Sequence, residues 1–286
     1  MSAGPPVCLT IAGSDSGGGA GIQADLKAFA RCGAHGASAI TALTAQNTVG
    51  VPGVVAVAPE FIEAQVEAVA ADIEIAAVKV GMLGDEGTAR VVARALARFG
   101  SIPVVVDPVM VAESGGTLLD REAERVLAEL VLPLAGVVTP NLSEARRLAR
   151  AAGMSETDAG AADQLELGRA IAGLGVDAVV VTGGHTARGL DVLCDAEGLV
   201  GEIDGEFHAR ATSAHGSGCT HSAALAAWLA HGLDLLEAAH WARTVASAAV
   251  GQGLDGVGAG PGPVDALGLG HIAEGALGPM PRMQGF

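Results

Sequence analysis

The sequence predicts a three-layer α/β/α fold with a mostly parallel central sheet and an antiparallel edge. Short Val-rich runs alternate with helical patterns from residue 7 to residue 184. Continuous apolar strands between helices are typical of a parallel sheet that is covered on both faces. Between residues 189 and 212 the pattern changes to three short segments spaced like antiparallel hairpins, which we expect to form the edge of the sheet.

The predicted elements follow one another in a regular order. The helices carry apolar residues three and four positions apart, as Ile22, Leu26 and Phe29 do, whereas the strands are short and mostly apolar runs. Strands are predicted at 7–12, 37–45, 76–83, 103–108, 135–140 and 176–184. Helices are predicted at 20–33, 59–72, 85–100, 120–132, 141–152, 163–174, 216–232 and 234–252. Because no linker or internal repeat interrupts them, we expect 1–286 to form a single domain, with 266–286 as a potentially flexible tail.

The composition excludes several classes of protein. A formal net charge of -16, from 16 basic and 32 acidic residues, disfavours unspecific binding to nucleic acid or anionic membranes. Tyr is absent, so an aromatic platform for stacking bases is not available. No apolar run is long enough to span a membrane and the start lacks the features of a signal peptide, so we expect a cytoplasmic protein. The four cysteines show no paired spacing, which disfavours disulfides and zinc.

The common nucleotide-binding motifs are absent or misplaced. Lys27 and Lys79 are the only lysines and neither follows a glycine, so a P-loop is excluded. The one GxGxxG pattern, at 251–256, ends a predicted helix, whereas a dinucleotide fingerprint follows a strand.

Polar, glycine or acidic residues follow nearly every predicted strand, at the edge where open parallel sheets bind ligands. Asp107 and Glu144 each lie just past a buried strand, and carboxylates beside a phosphate site commonly hold Mg²⁺. Helix capping is the alternative, with Asn141 as the N-cap and Glu144 three residues later. The residues alone leave both interpretations open.

The segment GSGCT, residues 216–220, combines small residues with the start of a predicted helix. The unpaired backbone N–H groups there could form an anion hole for a phosphoryl group in transfer. The helix dipole also favours a thiolate at Cys219, which could take a proton from a substrate hydroxyl. The alternative is that Cys219 is a small apolar residue packed under the helix.

Seven stretches together resemble the hydroxymethylpyrimidine/phosphomethylpyrimidine kinases of thiamine biosynthesis, which belong to the ribokinase-like superfamily. They occur in the order and spacing of that family over roughly residues 7 to 265, and read TIAGSDSGGGAGIQADLK, ITALTAQNT, KVGML, DPVM, TPNLSEA, GGH and HGSGCT. The resemblance implies a ribokinase-like fold, with ATP and Mg²⁺ as cofactors. It also implies phosphorylation of 4-amino-5-hydroxymethyl-2-methylpyrimidine and of its monophosphate, and a homodimer.

The same resemblance implies roles for individual residues. Cys219 would be the base that activates the substrate hydroxyl, and the anion hole would be formed by the amides of Gly216, Ser217 and Gly218. Gln46 would bind the aminopyrimidine edge, and the other substrate contacts would be Gly13, Thr44, Met82, Val109 and Asp25. The nucleotide would contact Asn141, Thr182, Gly184 and His185, and Mg²⁺ would be positioned by Asp107 and Glu144.

Two departures from the family pattern concern positive charge. The family often has Lys immediately before GGH, where this chain has Thr182, and a basic residue after DPVM is Glu113 here. Losing two cations near phosphates is expected to weaken the binding of ATP or of the monophosphate. His185, His215 and Arg188 lie in neighbouring loops and could replace part of that charge.

Three other functions compete with this interpretation. A pyridoxal or pyridoxine kinase acts on a hydroxymethyl group of a similar heterocycle. A catalytically weak pyrimidine-binding paralogue would fit the departures at Thr182 and Glu113. A sugar or nucleoside kinase of the same superfamily needs a carboxylate base, and Cys219 occupies that place.

Overall fold

A computed structural model of the chain describes residues 4–110, 119, 121–184, 189–206, 208 and 213–270. The strands are β1 Val7–Asp15, β2 His35–Asn47, β3 Gly50–Ala56, β4 Ala77–Val80, β5 Val104–Val106, β6 Val137–Val138, β7 Ala178–Val181, β8 Asp191–Cys194 and β9 Leu199–Ile203. Within the described residues they form one sheet in the order β3-β2-β1-β4-β5-β6-β7-β8-β9.

The helices cover both faces of this sheet. They are α1 Gly21–Arg31, α2 Pro59–Ala70, α3 Glu86–Leu96, α4 Arg121–Val126, α5 Leu142–Ala151, α6 Glu156–Ala161, α7 Gln164–Ala172, α8 Ser217–Ala230 and α9 Leu235–Gly251. Helix α4 continues into a π-helical turn, Leu127–Val131, and a 3₁₀ turn, Leu132–Leu134. One apolar core lies between the sheet and α2 to α7, and a second, rich in alanine, lies between the sheet and α1, α8 and α9.

The pairing confirms the predicted three-layer, ribokinase-like architecture. From β2 through β1, β4, β5 and β6 to β7, each strand pairs in parallel with the next. Strands β8 and β9 add an antiparallel edge next to β7, as the change of pattern after residue 189 predicts. The third predicted hairpin segment, 205–212, falls largely outside the described residues, which omit 207 and 209–212.

One strand was not predicted. Strand β3 pairs antiparallel with β2 and forms the opposite edge of the sheet. Its sequence, GVPGVVA, contains a proline and two glycines, which weaken the strand signal but are tolerated at an edge.

The parallel strands bring their carboxyl ends, and the loops that follow them, to a single edge of the sheet.

In the part of the chain that the structure describes, no helix is both long and apolar enough to cross a bilayer.

Candidate active site

The turn before α8 requires glycine. Gly216 has a φ of +87°, in the left-handed region, and a Cβ added there would lie 1.8 Å from the carbonyl oxygen of Gly19. The turn therefore packs directly on the glycine loop that follows β1. The backbone N–H of Gly21, the first residue of α1, faces the Cys219 sulfur and acts to lower the pKa of its thiol. The sulfur thus lies where the N-termini of α1 and α8 meet.

The predicted anion hole needs one correction. The backbone N–H of Ser217 donates to the carbonyl oxygen of Ala214 at 3.0 Å, so the tight turn itself uses this amide. The amides of Gly218 and Cys219 lie in the first turn of α8, where an N–H has no acceptor within its own helix. These two amides, with the partial positive charge of the helix end, are therefore available to bind an anion.

A buried lysine lies beneath this turn. Lys79, in the centre of β4, is fully buried, and its Nζ lies 2.9 and 3.0 Å from the two carboxylate oxygens of Asp25. Burial alone would lower the pKa of Lys79, but the Asp25 carboxylate outweighs it and raises that pKa, so the ammonium stays charged. Its Nζ also lies 4.0 Å from Oδ2 of Asp107.

Asp25 is placed differently from the prediction. Its carboxylate is fully buried, and it accepts from the Thr10 hydroxyl at 2.6 Å as well as from Lys79. A carboxylate without exposed surface and with both oxygens engaged has no room for a substrate group. Asp25 therefore holds Lys79 under the site and does not line the pyrimidine pocket, which corrects the predicted substrate contact.

The environment of Cys219 also differs from the expected thiolate. Burial is the largest influence, and together with the negative charges of Asp107 and Asp25 it raises the pKa of the thiol to about 12. Lys79 and the Gly21 amide act in the opposite direction but are outweighed. In the absence of ligands Cys219 is therefore a neutral thiol at pH 7, although the helix dipole favours the thiolate.

Asp107 and Glu144 fit the predicted magnesium site. Asp107, which is buried, accepts a hydrogen bond from the Ser222 hydroxyl at 3.0 Å. Glu144 forms the predicted capping box with Asn141, since each side chain accepts from the other's backbone N–H at 3.0 Å. Burial raises the pKa of Glu144, and repulsion from Asp107 raises it further. Capping and a magnesium role are therefore compatible, because a divalent cation would relieve this repulsion.

This acidic pair does not form a complete metal cage. No group of three or more His, Cys, Asp or Glu side chains among the described residues could hold a metal ion alone. Mg²⁺ commonly uses one or two carboxylates and completes its coordination with water and substrate phosphates, which agrees with this arrangement.

The predicted pyrimidine residues come together from neighbouring strands. A Cβ on Gly13 would lie 2.5 Å from Cε of Met82, so these two residues are in contact. The Thr44 hydroxyl lies 2.9 Å from the Ser14 carbonyl oxygen and 3.1 Å from Oε1 of Gln46. Val109 is half-buried after β5.

A histidine joins the pyrimidine side to the helix turn. His215 Nε2 lies 3.3 Å from Nε2 of Gln46 and 3.0 Å from Oδ2 of Asp15. The same Asp15 oxygen accepts from the backbone N–H groups of Gly19 and Ala20. Burial would raise the pKa of Asp15, but its hydrogen bonds, that of His215 first among them, outweigh it and lower this pKa.

The predicted nucleotide residues lie at the ends of β6 and β7. Asn141 and Thr182 form a parallel bridge, and the Thr182 N–H donates to the Pro140 carbonyl oxygen at 2.9 Å. Gly184 is exposed. His185 lies outside the described residues, as do two others named for their effect on charge, Glu113 and Arg188.

Comparison with known proteins decides the family. The family described as phosphomethylpyrimidine kinase matches residues 15–265. A hydroxymethylpyrimidine/phosphomethylpyrimidine kinase from Rhizobium meliloti is 47% identical over 265 residues, covering 90% of this chain and 96% of that protein. The chain belongs to the phosphomethylpyrimidine kinase family. It is therefore a phosphotransferase.

Solved structures of similar proteins include two kinds of vitamin kinase. A phosphomethylpyrimidine kinase from Clostridium difficile 630 is 37% identical, with a TM-score of 0.69 over 83% of this chain and 96% of that chain. The pyridoxal kinase from Staphylococcus aureus in complex with AMP-PCP and pyridoxal is 29% identical, with a TM-score of 0.79 over 94% of this chain and 96% of that chain.

Three residues of this phosphomethylpyrimidine kinase site were missed as site residues by the sequence analysis. Lys79 interrupts the apolar run AAVKVGML, and a charge inside a buried strand was a signal that could have been used. Asp15 ends β1 directly before the glycine loop, where an acidic side chain commonly accepts backbone N–H groups. Ser222 had no such signal, because a serine inside an alanine-rich helix has no distinctive pattern.

Proposed function

We propose that this phosphomethylpyrimidine kinase transfers the γ-phosphoryl group of ATP to the hydroxymethyl group of 4-amino-5-hydroxymethyl-2-methylpyrimidine, in thiamine biosynthesis in the cytoplasm. The observation that carries the proposal is the position of Cys219. Its sulfur lies between two helix N-termini, above Lys79 and near Asp107, with Gln46 at the end of β2 and His215 just before α8.

The chemistry follows from these groups. Cys219 would accept the hydroxyl proton as the substrate oxygen forms a bond to the γ-phosphorus and the bond to the leaving ADP oxygen breaks. The amides of Gly218 and Cys219 would hold the transferred group. Mg²⁺ bound at Asp107 and Glu144 would neutralise phosphate charge. Neutralising Asp107 would also remove one cause of the raised pKa of Cys219, and Lys79 would then favour the thiolate.

The same site would also phosphorylate the monophosphate to the diphosphate. This second step needs positive charge for one more phosphate, and Thr182 and Glu113 do not supply it. His215, near Gln46, is a described side chain that could compensate. We therefore expect the second step to be slower than the first.

The experiment is a measurement of ADP release with ATP, Mg²⁺ and either the hydroxymethylpyrimidine or its monophosphate. We expect turnover on the hydroxymethylpyrimidine and a fall in kcat of about 10²–10⁴ in Cys219→Ala, the range typical of a general base. Cys32→Ala, at a buried cysteine at the end of α1, is the control and should retain activity. Binding of the pyrimidine without ADP release would contradict the proposal and favour a non-catalytic binding protein.

A pyridoxal kinase is the second candidate, and the likeness to the Staphylococcus aureus enzyme favours it. The two functions differ in the ring that the pocket accepts. A higher kcat/KM for pyridoxal than for the hydroxymethylpyrimidine in the same assay would replace our proposal with this one.

A homodimer is also part of the proposal. Strand β3 is an edge strand, and four large apolar side chains on or next to it are exposed, namely Leu43, Val49, Val54 and Val55. Exposed apolar edges of this kind are normally covered.

A further inference from the structure

A further buried carboxylate lies away from Cys219, behind the end of β7. Asp191 is the first residue of β8 and is fully buried. Its Oδ1 accepts the backbone N–H of Gly183 at 2.7 Å, immediately after Thr182. Its other neighbours come from α8 and α9. His221 Nε2 lies 3.4 Å from Oδ2, and Arg243 Nη1 lies 3.5 Å from Oδ1.

The neighbours of Asp191 hold both ends of one loop. Arg243 donates from Nη2 to the carbonyl oxygen of Gly189 at 2.6 Å, while Asp191 holds Gly183. Gln164 donates to the carbonyl oxygens of Val181 and Leu190 at 2.9 and 3.0 Å. The two chain segments that flank the loop are therefore fixed to each other and to the helices behind them.

The close approach at Gly183 shows how tightly the two ends of this loop pack against each other. A Cβ on Gly183 would lie 1.7 Å from the carbonyl oxygen of Leu190, so only glycine fits. The direction of the peptide that follows Thr182 is thus set by the backbone of residue 190 on one side and by the Asp191 carboxylate on the other.

The charges of the cluster agree with an ionised Asp191. Burial would raise the pKa of Asp191, but His221, Arg243 and the Gly183 amide outweigh it and lower this pKa. A buried carboxylate that is ionised at neutral pH holds a backbone N–H more firmly than a neutral acceptor does.

We propose that Asp191, supported by Arg243 and His221, is a positioning residue for the nucleotide. It fixes the Thr182–Gly184 backbone, which would contact the ATP phosphates, by accepting the Gly183 amide, and it faces His221 of α8, the helix that carries Cys219, across 3.4 Å. This inference rests on the proposed function, because it assumes that ATP binds at the end of β7. It adds that nucleotide affinity depends on a carboxylate that does not touch the nucleotide.

Calorimetry can measure the affinity of each variant for ADP and for the hydroxymethylpyrimidine separately. A positioning role should change only the affinity for ADP, whereas a merely structural role should change both. We expect Asp191→Asn to weaken ADP binding about tenfold, because the neutral amide makes a weaker hydrogen bond and places a donor near Arg243. Pyrimidine affinity should change less than twofold, since Gln46 and Gly13 lie on other strands. In steady-state kinetics the KM for ATP should rise and the KM for the pyrimidine should not.

The matched control is Asp195→Asn. Asp195 follows the same strand, where its carboxylate accepts the N–H groups of Glu197 and Gly198 in the hairpin turn, and the change should leave ADP binding unaltered. If Asp191→Asn does not fold, Arg243→Gln and Arg243→Lys test the same cluster. We expect the lysine variant, which keeps the charge, to bind ADP more tightly than the glutamine variant.

Unchanged ADP affinity in Asp191→Asn, or a parallel loss of ADP and pyrimidine affinity, would overturn the inference. Failure of the proposed function would give a different result, namely a wild-type protein that does not bind or phosphorylate the pyrimidine. ADP binding in the Asp191 and Arg243 variants would still test the inference in that case.

Discussion

At the scale of single residues, the protonation state of Cys219 decides whether this residue can act as a base. A helix N-terminus alone would lower the pKa of this cysteine, yet burial and two carboxylates raise it to about 12. The site therefore holds the base as a neutral thiol until ligands change the balance of charge. A base of this kind is protected from oxidation while the enzyme is empty, because the thiolate is the reactive form.

Alkylation by iodoacetamide should report this state directly. Of the four cysteines only Cys219 is partly exposed, so labelling of the folded, ligand-free protein should occur there and disappear in Cys219→Ala. Because the pKa is raised, the labelling rate should keep rising with pH up to about pH 10 without a plateau. In Asp107→Asn the pKa should fall and labelling at pH 8 should be faster. A plateau below pH 9 in the wild type would show that the thiolate already exists in the empty site.

The role of a residue could be predicted from the sequence only where it depends on a local sequence motif. The capping box at Asn141 and Glu144 could be predicted because its spacing is local. The ion pair between Asp25 and Lys79 joins residues 54 positions apart, and no local pattern reveals such a pair. The sequence therefore identified Asp25 but not its partner, and the partner explains why the carboxylate is buried.

At the scale of elements, the α8 turn shows a glycine that serves two purposes. Gly216 adopts a positive φ and also lets the turn approach Gly19, so the position of Cys219 depends on both. Gly232, just beyond the other end of the same helix, has a φ of +86° with nothing within 4 Å of an added Cβ. Alanine variants at these two glycines therefore distinguish the effect of backbone strain from the effect of a steric clash.

Gly216→Ala should therefore be much more harmful than Gly232→Ala. The Gly232 variant has only the left-handed strain of about 1 kcal/mol, which lowers Tm by about 2–4 °C in a protein of this size. The Gly216 variant must also move the turn away from Gly19, so both Tm and kcat should fall further. Thermal unfolding and ADP release measured on both variants test this. Equal effects would mean that the turn relaxes and that the close approach is not needed.

Elements were predictable where the hydrophobic pattern was long and regular. The buried parallel strands and their helices follow it closely, because both faces of the sheet are covered. Strand β3 was missed because its valines do not alternate with polar residues. Val54 and Val55 are adjacent and both exposed at the edge, and Pro52 and Gly53 interrupt the run. Its pairing with β2 is a tertiary contact that the local sequence does not specify.

At the scale of the whole molecule, the sheet has two antiparallel edges with different surfaces. The β3 edge exposes Val55, Val49 and Val54, each more than half accessible, and Leu43 pairs with Val55 in the β2–β3 ladder. The β9 edge exposes Leu199 and Val200. Pairing of a second copy on the β3 edge would cover the larger apolar surface and, with a net charge of -16 on each chain, would be favoured by salt.

Light scattering at moderate ionic strength should therefore give a mass twice the 28.1 kDa of one chain. Val55→Glu places a charge in the middle of the β3 patch, so the dimer should dissociate and the mass should halve, because an unpaired charge buried in an apolar interface is unfavourable. Val200→Glu, on the opposite edge, is the matched control and should remain dimeric. A dimer that persists in Val55→Glu but dissociates in Val200→Glu would move the interface to β9. Retained turnover in the variant that becomes monomeric would show that the site is complete within one chain.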